Sequence, residues 1–203
     1  MPDYAYELTA KEKGFSFVCG VDEAGRGPLA GPVCAAAVIL PKNTVIEGLN
    51  DSKKLSEKKR ESLFDVIKEK AVAWSVAFAS VEEIEEFNIL NATFIAMNRA
   101  IDGLSTKADF ALIDGNRVPK DIKIPCETVI KGDSKSMSIA AASVLAKVTR
   151  DRLMLELDEK YPLYEFKKHK GYGTKLHTDL IKEYGPCEIH RLSFLKNILG
   201  ENK

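Results

Sequence analysis

The chain has 203 residues, 45% of them hydrophobic, with 30 lysines and arginines against 30 aspartates and glutamates. That length and apolar content suit one compact domain with a sizeable core and at most a small appendage. Zero net charge supplies no bulk attraction for nucleic acid, so any such contact must come from local patches. No signal peptide and no long apolar span is found, so a cytosolic chain that binds no membrane is expected, with monomer the default for this size. Cys19, Cys34, Cys126 and Cys187 lack paired metal spacing, and the first three lie in apolar runs, where cysteine acts as a small hydrophobe.

Taken in order, Phe15 to Val21 alternates, with Phe15, Phe17, Cys19 and Val21 on one face, and reads as a first strand. Asp22 and Glu23 close it. A turn with Gly25, Gly27, Gly31, Pro28, Pro32 and the cation Arg26 follows, then a continuous apolar strand over Val33 to Leu40. The short Gly/Pro connection predicts an antiparallel pair. Ser56 caps a helix to Lys70, and Ala71 to Ala79 is a third strand. Ser80 with Glu83 forms a capping box. It opens a helix ending at Gly103, with Ile84, Phe87, Phe94, Met97 and Ile101 as its apolar stripe.

Phe110 to Ile113 is a buried strand ending on Asp114, and Cys126 to Ile130 another, followed by Lys131-Gly132-Asp133. A helix then runs from Ser134 to about Lys160, with Met137, Ala141, Val144, Val148 and Leu155 on one side. Strands alternating with helices predict a mixed α/β sheet with helices on its faces. After Pro162 the composition changes. Glu165 to Thr174 is basic and glycine-containing, and helices are expected at Lys175 to Tyr184 and Leu192 to Leu199. The predicted division is a catalytic domain over residues 1–161 and a C-terminal helical appendage over 162–203.

Three strand ends thus deliver carboxylates: Asp22 with Glu23, then Asp114, then Asp133. Ligands of open α/β sheets bind at the carboxyl ends of strands. If the first, fourth and fifth strands are neighbours, the four acids converge. Four such charges cannot all ionise together without a cation between them. An all-oxygen set without His/Cys spacing points to magnesium or manganese, and two ions suit phosphodiester hydrolysis. Taken singly, Asp114 is an ordinary turn residue and Asp133 an ordinary helix cap; their joint placement favours the metal. Two basic runs, Lys53 to Arg60 and Lys167 to Lys170 beside Tyr172, are solvated faces by default but also suit phosphates. His169, His177 and His190 lack metal spacing and are read as structural or surface residues.

With these residues assembled, the chain resembles ribonuclease HII, the type 2 ribonuclease H family of bacteria, from about Phe17 to Phe194. The run from Asp22, Asp-Glu-Ala-Gly-Arg-Gly-Pro-Leu-Ala-Gly-Pro-Val, is its most specific part. Asp51-Ser-Lys-Lys-Leu55, Asp114-Gly-Asn116, Lys131-Gly-Asp133, Gly171-Tyr-Gly-Thr174 and His190-Arg191 with Ser193-Phe194 follow in order. The resemblance implies a ribonuclease H-like fold with a five-stranded mixed sheet. It implies hydrolysis of RNA in RNA–DNA hybrids and incision 5′ of single ribonucleotides in duplex DNA, leaving 3′-hydroxyl and 5′-phosphate ends. It implies Asp22, Glu23, Asp114 and Asp133 as catalytic metal ligands. Gly25, Arg26 and Gly27 would read the ribose 2′-hydroxyl, and Tyr172 would pack on the following deoxyribose. Lys53 is assigned to substrate binding with them. Cys34, Cys187 and Leu192 depart from the family's usual residues, and Leu192 stands where the family more commonly has an arginine that would contact a phosphate. No docking peptide for a protein partner is evident.

Overall fold

A computed structural model of the chain describes residues 1–200. Its five strands are β1 (Val18–Ala24), β2 (Val33–Ile39), β3 (Ala73–Ala79), β4 (Phe110–Asp114) and β5 (Cys126–Val129). They form one sheet in the order β3-β2-β1-β4-β5. β1, β2 and β3 pair antiparallel, whereas β4 joins β1 and β5 joins β4 in parallel. This is the mixed sheet expected, and β1, β4 and β5 are neighbours.

The helices are α1 (Ala5–Glu12), α2 (Glu57–Lys70), α3 (Val81–Asp102), α4 (Met137–Lys160), α5 (Phe166–His169), α6 (Lys175–Tyr184) and α7 (Leu192–Leu199), with three short 3₁₀ turns between them. Alternation along the strands splits the core in two. Cys19, Val21, Ala35 and Ile113 face α3, which contributes Ile84, Phe94 and Met97. Ala24, Cys34, Ala36 and Val38 face α2 and α4. Gly20 lets α4 lie directly on β1, since a Cβ there would stand 2.1 Å from the Ser138 backbone.

Four local expectations are corrected. β1 begins and ends three residues later than Phe15–Val21, because Asp22, Glu23 and Ala24 still pair with Ala36, Ala35 and Cys34. α3 is kinked at Asn88, whose φ is 66°, while its Oδ1 accepts from the N–H groups of Leu90 and Asn91 and so caps the second segment. The kink breaks the stripe, and Phe87 is exposed. α4 starts after Ser136, which caps Ile139, rather than at Ser134, and Leu155 is exposed on it. α1 was not expected. Its buried Glu7 accepts from Ser136 Oγ at 2.6 Å and Ser138 N at 2.9 Å, anchoring the start of α4.

Candidate active site

The site forms where β1, β4 and β5 end. The parallel register sets Val21 beside Ile113, so one step further brings Asp22 beside Asp114. Asp114 in turn pairs with Val129, and four residues beyond it Asp133 sits in a 3₁₀ turn, not at a helix N-cap. Gly132 closes this corner by donating its N–H to Asp114 Oδ1 at 2.6 Å.

Because β1 runs on through Ala24, Asp22 and Glu23 face opposite sides of the sheet. Asp22 turns toward α4 and is buried, accepting from its neighbour's N–H at 2.7 Å. Glu23 lines a cavity of about 70 Å³ that also takes in Asp114 and the α3 residues Thr93, Phe94 and Met97. Its Oε1 lies 3.4 Å from Arg26 Nη1. The two acids still feel each other's charge, because β4 ends at Asp114 beside them.

Burial pushes the Asp22 carboxyl well above the usual range, and the charges of Glu23 and Asp114 push it the same way. Burial also raises Glu23, with Asp114 adding to it and Arg26 opposing it. Asp133 is raised by burial, then by Asp114 and Asp51. Lys53 shows the complementary effect. Burial acts to lower it, but Asp22, Asp133, Asp51 and Asp114 outweigh that and hold it above the ordinary lysine value. A cationic side chain therefore already faces these acids.

Among the described residues no three carboxylate, histidine or cysteine side chains converge into a ready-made ion cage. The fit to a divalent cation rests instead on charge and donor type. Mutually repelling carboxylates with hard oxygens and no nearby thiolate or imidazole suit magnesium or manganese.

Beside the acids lies a cavity of about 250 Å³ lined by Glu23, Ala24, Gly25, Arg26, Gly27, Ser52, Lys53, Ser143, Lys147 and Tyr172. It brings together all of the expected loop, lysine and tyrosine positions. Of the loop glycines, Gly25 and Gly31 adopt positive φ (97° and 83°), and Gly27 does not. A Cβ on Gly27 would meet nothing within 4 Å, so that side of the loop is open. A larger cavity of about 420 Å³, between Met1–Tyr4 and Asn43–Leu49, lies away from the acids.

The ribonuclease HII family profile matches residues 19–197. Curated ribonuclease HII proteins of Caldicellulosiruptor bescii and Caldicellulosiruptor saccharolyticus are 57% and 58% identical over 197 and 196 residues. These alignments cover 96% and 97% of this chain and 95% of each relative. The chain belongs to the ribonuclease HII family. It is therefore a ribonuclease of the H class. Among solved structures it is similar to ribonuclease H2 of Pyrococcus horikoshii, with TM-score 0.75, 28% identity and coverage of 92% of this chain and 98% of that one. It is also similar to the RNase HII of Archaeoglobus fulgidus, solved in complex with PCNA (TM-score 0.71, 25% identity, 87% of this chain and 94% of that one). Bst-RNase HIII, solved with Mn²⁺, shares the fold at TM-score 0.74 and 19% identity, over 97% of this chain and 73% of that one.

Several residues of this ribonuclease HII site carry no separable signal in the sequence. Ser143 and Lys147 look like interior and solvated positions of a long helix. Yet Ser143 helps to hold down the Asp22 pKa and meets Ser52 Oγ at 2.8 Å, and Lys147 Nζ stands 5.3 Å from the Tyr172 ring centre. The i, i+4 spacing of Lys147 and Asp151, paired at 2.8 Å, was the available hint. Tyr172 is partly exposed and rests on a buried histidine chain. His177 Nδ1 meets the Tyr172 carbonyl at 2.9 Å, and His177 Nε2 meets His190 Nε2 at 3.0 Å. His169 stacks on His177. The three histidines are thus structural and buried. Thr174 caps α6 by accepting from His177 N–H.

Proposed function

We propose that this ribonuclease HII is a metal-dependent endonuclease that hydrolyses the RNA strand of RNA–DNA hybrids and incises 5′ of single ribonucleotides in duplex DNA. The products are 3′-hydroxyl and 5′-phosphate ends. The observation that carries the reading is the adjacency of the acid cluster to the cavity holding Gly25–Gly27, Lys53 and Tyr172. An acid site alone would suit any phosphodiester; a neighbouring cavity edged by open backbone and an aromatic ring suits a ribose in a defined sugar context.

Asp22, Glu23, Asp114 and Asp133 would hold two magnesium or manganese ions, which when bound supply activation of a water and stabilisation of the leaving oxygen. The chain's own residues orient the substrate. Arg26 and Gly27 offer main-chain N–H groups toward the 2′-oxygen, Lys53 meets a phosphate beside the acids, and the Tyr172 ring covers the next sugar. A 2′-hydroxyl on that sugar would crowd the ring, which favours deoxyribose there. We take residues 162–203 as a substrate-binding appendage to a catalytic part spanning 1–161, with residues 201–203 outside the described structure. Its Met154, Tyr164, Phe166 and Ala30 cluster supports a firm attachment to the catalytic part. The working unit is taken as a cytoplasmic monomer; four unpaired cysteines suit a reducing compartment.

The test is cleavage of matched all-DNA, single-ribonucleotide and full hybrid duplexes across magnesium and manganese titrations, with end analysis of the products. Metal-dependent cuts only where ribose is present are expected. Equal cleavage of the all-DNA duplex, or full activity in chelator, would overturn the reading.

A further inference from the structure

We propose that Arg191 is a positioning residue for ribose selectivity: its guanidinium holds the carbonyls of the Gly25–Gly31 loop inward, and this turns the N–H groups of Arg26 and Gly27 out toward the substrate. The inference rests on the proposed role of that loop and adds the device that shapes it.

Arg191 is fully buried and has no carboxylate partner within salt-bridge distance among the described residues. All five of its side-chain N–H groups are used on main-chain oxygens. Nε donates to Gly31 O at 2.9 Å, Nη1 to Arg26 O at 3.0 Å and Pro28 O at 2.8 Å, and Nη2 to Gly25 O at 2.6 Å and Gly31 O at 2.7 Å. Its own N–H reaches Leu29 O at 2.8 Å. Arg150, equally buried, takes Ala30 O and Pro32 O at 3.0 and 3.1 Å. Every carbonyl from Gly25 to Pro32 except that of Gly27 is therefore held by these two arginines.

The consequence follows from peptide planarity. No peptide bond among the described residues is cis, and in a trans peptide the C=O and the following N–H point in opposite directions. The carbonyls of Gly25 and Arg26 belong to the same planar units as the N–H groups of Arg26 and Gly27. Fixing the first pair on the guanidinium fixes the second pair away from it. Those two N–H groups find no acceptor among the described residues, and the loop lines the cavity beside the acids. A planar fork of five donors can gather four carbonyls in one fan, and a lysine with a single nitrogen cannot. A buried cation surrounded by carbonyl dipoles also resists rearrangement, since each lost bond leaves part of the charge unsolvated.

The experiment compares wild type with Arg191→Lys, in two readouts. One needs no substrate: amide chemical shifts of Arg26 and Gly27, and hydrogen exchange of the Arg191 guanidinium in wild type. The other is the affinity ratio between single-ribonucleotide and all-DNA duplexes under calcium. Expected are slow guanidinium exchange in wild type, displaced Arg26 and Gly27 amides in the variant, and a preference for ribose reduced about tenfold, the order of one hydrogen bond. Affinity for the all-DNA duplex should hold within about twofold. Guanidinium exchanging at the solvent rate in wild type would overturn the clamp even if the variant fails to fold. Unmoved amides in a folded variant, or moved amides with undiminished preference, would also overturn it. If wild type itself shows no preference for ribose, the reading of the loop fails, and the amide and exchange data still decide the clamp.

Discussion

Lowering the pH from 7 to 4 protonates the histidines of the unfolded chain, but the folded chain resists it at His177 and His190. The Cys187 N–H donates to His190 Nδ1 at 2.9 Å, so His190 carries its proton on Nε2 and gives it to His177 Nε2 at 3.0 Å. His177 is left with its proton on Nδ1, bonded to the Tyr172 carbonyl. That tautomer order follows from the network, and it leaves no free ring nitrogen for another proton. Burial, with the neighbouring histidines, pushes both rings from about 6.5 down to about 4. Each then resists protonation over roughly 2.5 pH units, worth about 1.4 kcal/mol per unit, or about 3 kcal/mol apiece as an upper bound. Because the folded pKa is depressed, this stability is complete above about pH 6.5 and is lost as pH falls from there to about 4. Asp22, Glu23 and Asp133 work in the other direction. Their raised values give stability that is complete below about pH 4 and declines as pH rises. Asp22→Asn removes the largest of these opposing contributions, leaving only Glu23 and Asp133 against the histidines. In that background, loss of up to about 6 kcal/mol from the two rings together lowers Tm by at most roughly 12–24 °C for a chain of this size. Melting by circular dichroism at half-unit pH steps reads the shift, and imidazole nitrogen NMR reads the tautomers. A flat Tm between pH 7 and 4.5, or a His177 titration near 6.5, would refute the reasoning.

Asp22→Asn or Asp114→Asn should abolish cleavage at saturating magnesium while keeping the fold, and Asp22→Asn should melt higher than wild type in chelator above pH 7; near wild-type turnover in either variant would contradict the four-acid site. Gly27→Val should leave Tm within about 2 °C, because its Cβ meets nothing and its φ is ordinary, yet weaken binding of a single-ribonucleotide duplex relative to all-DNA under calcium. Unchanged selectivity would show that nothing approaches there. Tyr172→Ala should lose roughly tenfold on the single-ribonucleotide duplex, the low end of aromatic stacking on nucleic acid, while retaining much of its rate on long hybrids; an equal loss on both with a lowered Tm would assign the ring a packing role alone.

The sheet was readable because each strand is written as an apolar run or an alternation bounded by glycine, proline or charge. β1 was misplaced by three residues because two adjacent acids look like the end of a strand. Pairing with the alanines of β2, not local polarity, decides that they stay in it. α1 escaped because Ala5–Glu12 carries a weak apolar stripe and is held by one buried glutamate on the far side of α4. The kink in α3 rests on a single asparagine capping the turn after it, which spacing of apolar residues cannot register.

The acids of the site could be read because chemistry demands those residue types in places where a fold seldom needs them. The residues that shape the loop could not, because their bonds to it run to main-chain oxygens 118 to 166 positions away, and a carbonyl is the same at every residue. In sequence Arg191 stands out only as part of the His190-Arg191 motif, with no role attached to it, and Arg150 belongs to an ordinary charged helix. Their role also explains the glycines around them. A Cβ at Gly25 would stand 2.0 Å from Arg150 Nε, and at Gly31 2.6 Å from Met154 Sδ. Those two glycines, both at positive φ, make room for what lies beneath the loop, whereas Gly27 leaves room for what lies above it. Substitution at Gly25 should therefore cost stability first, and substitution at Gly27 recognition first.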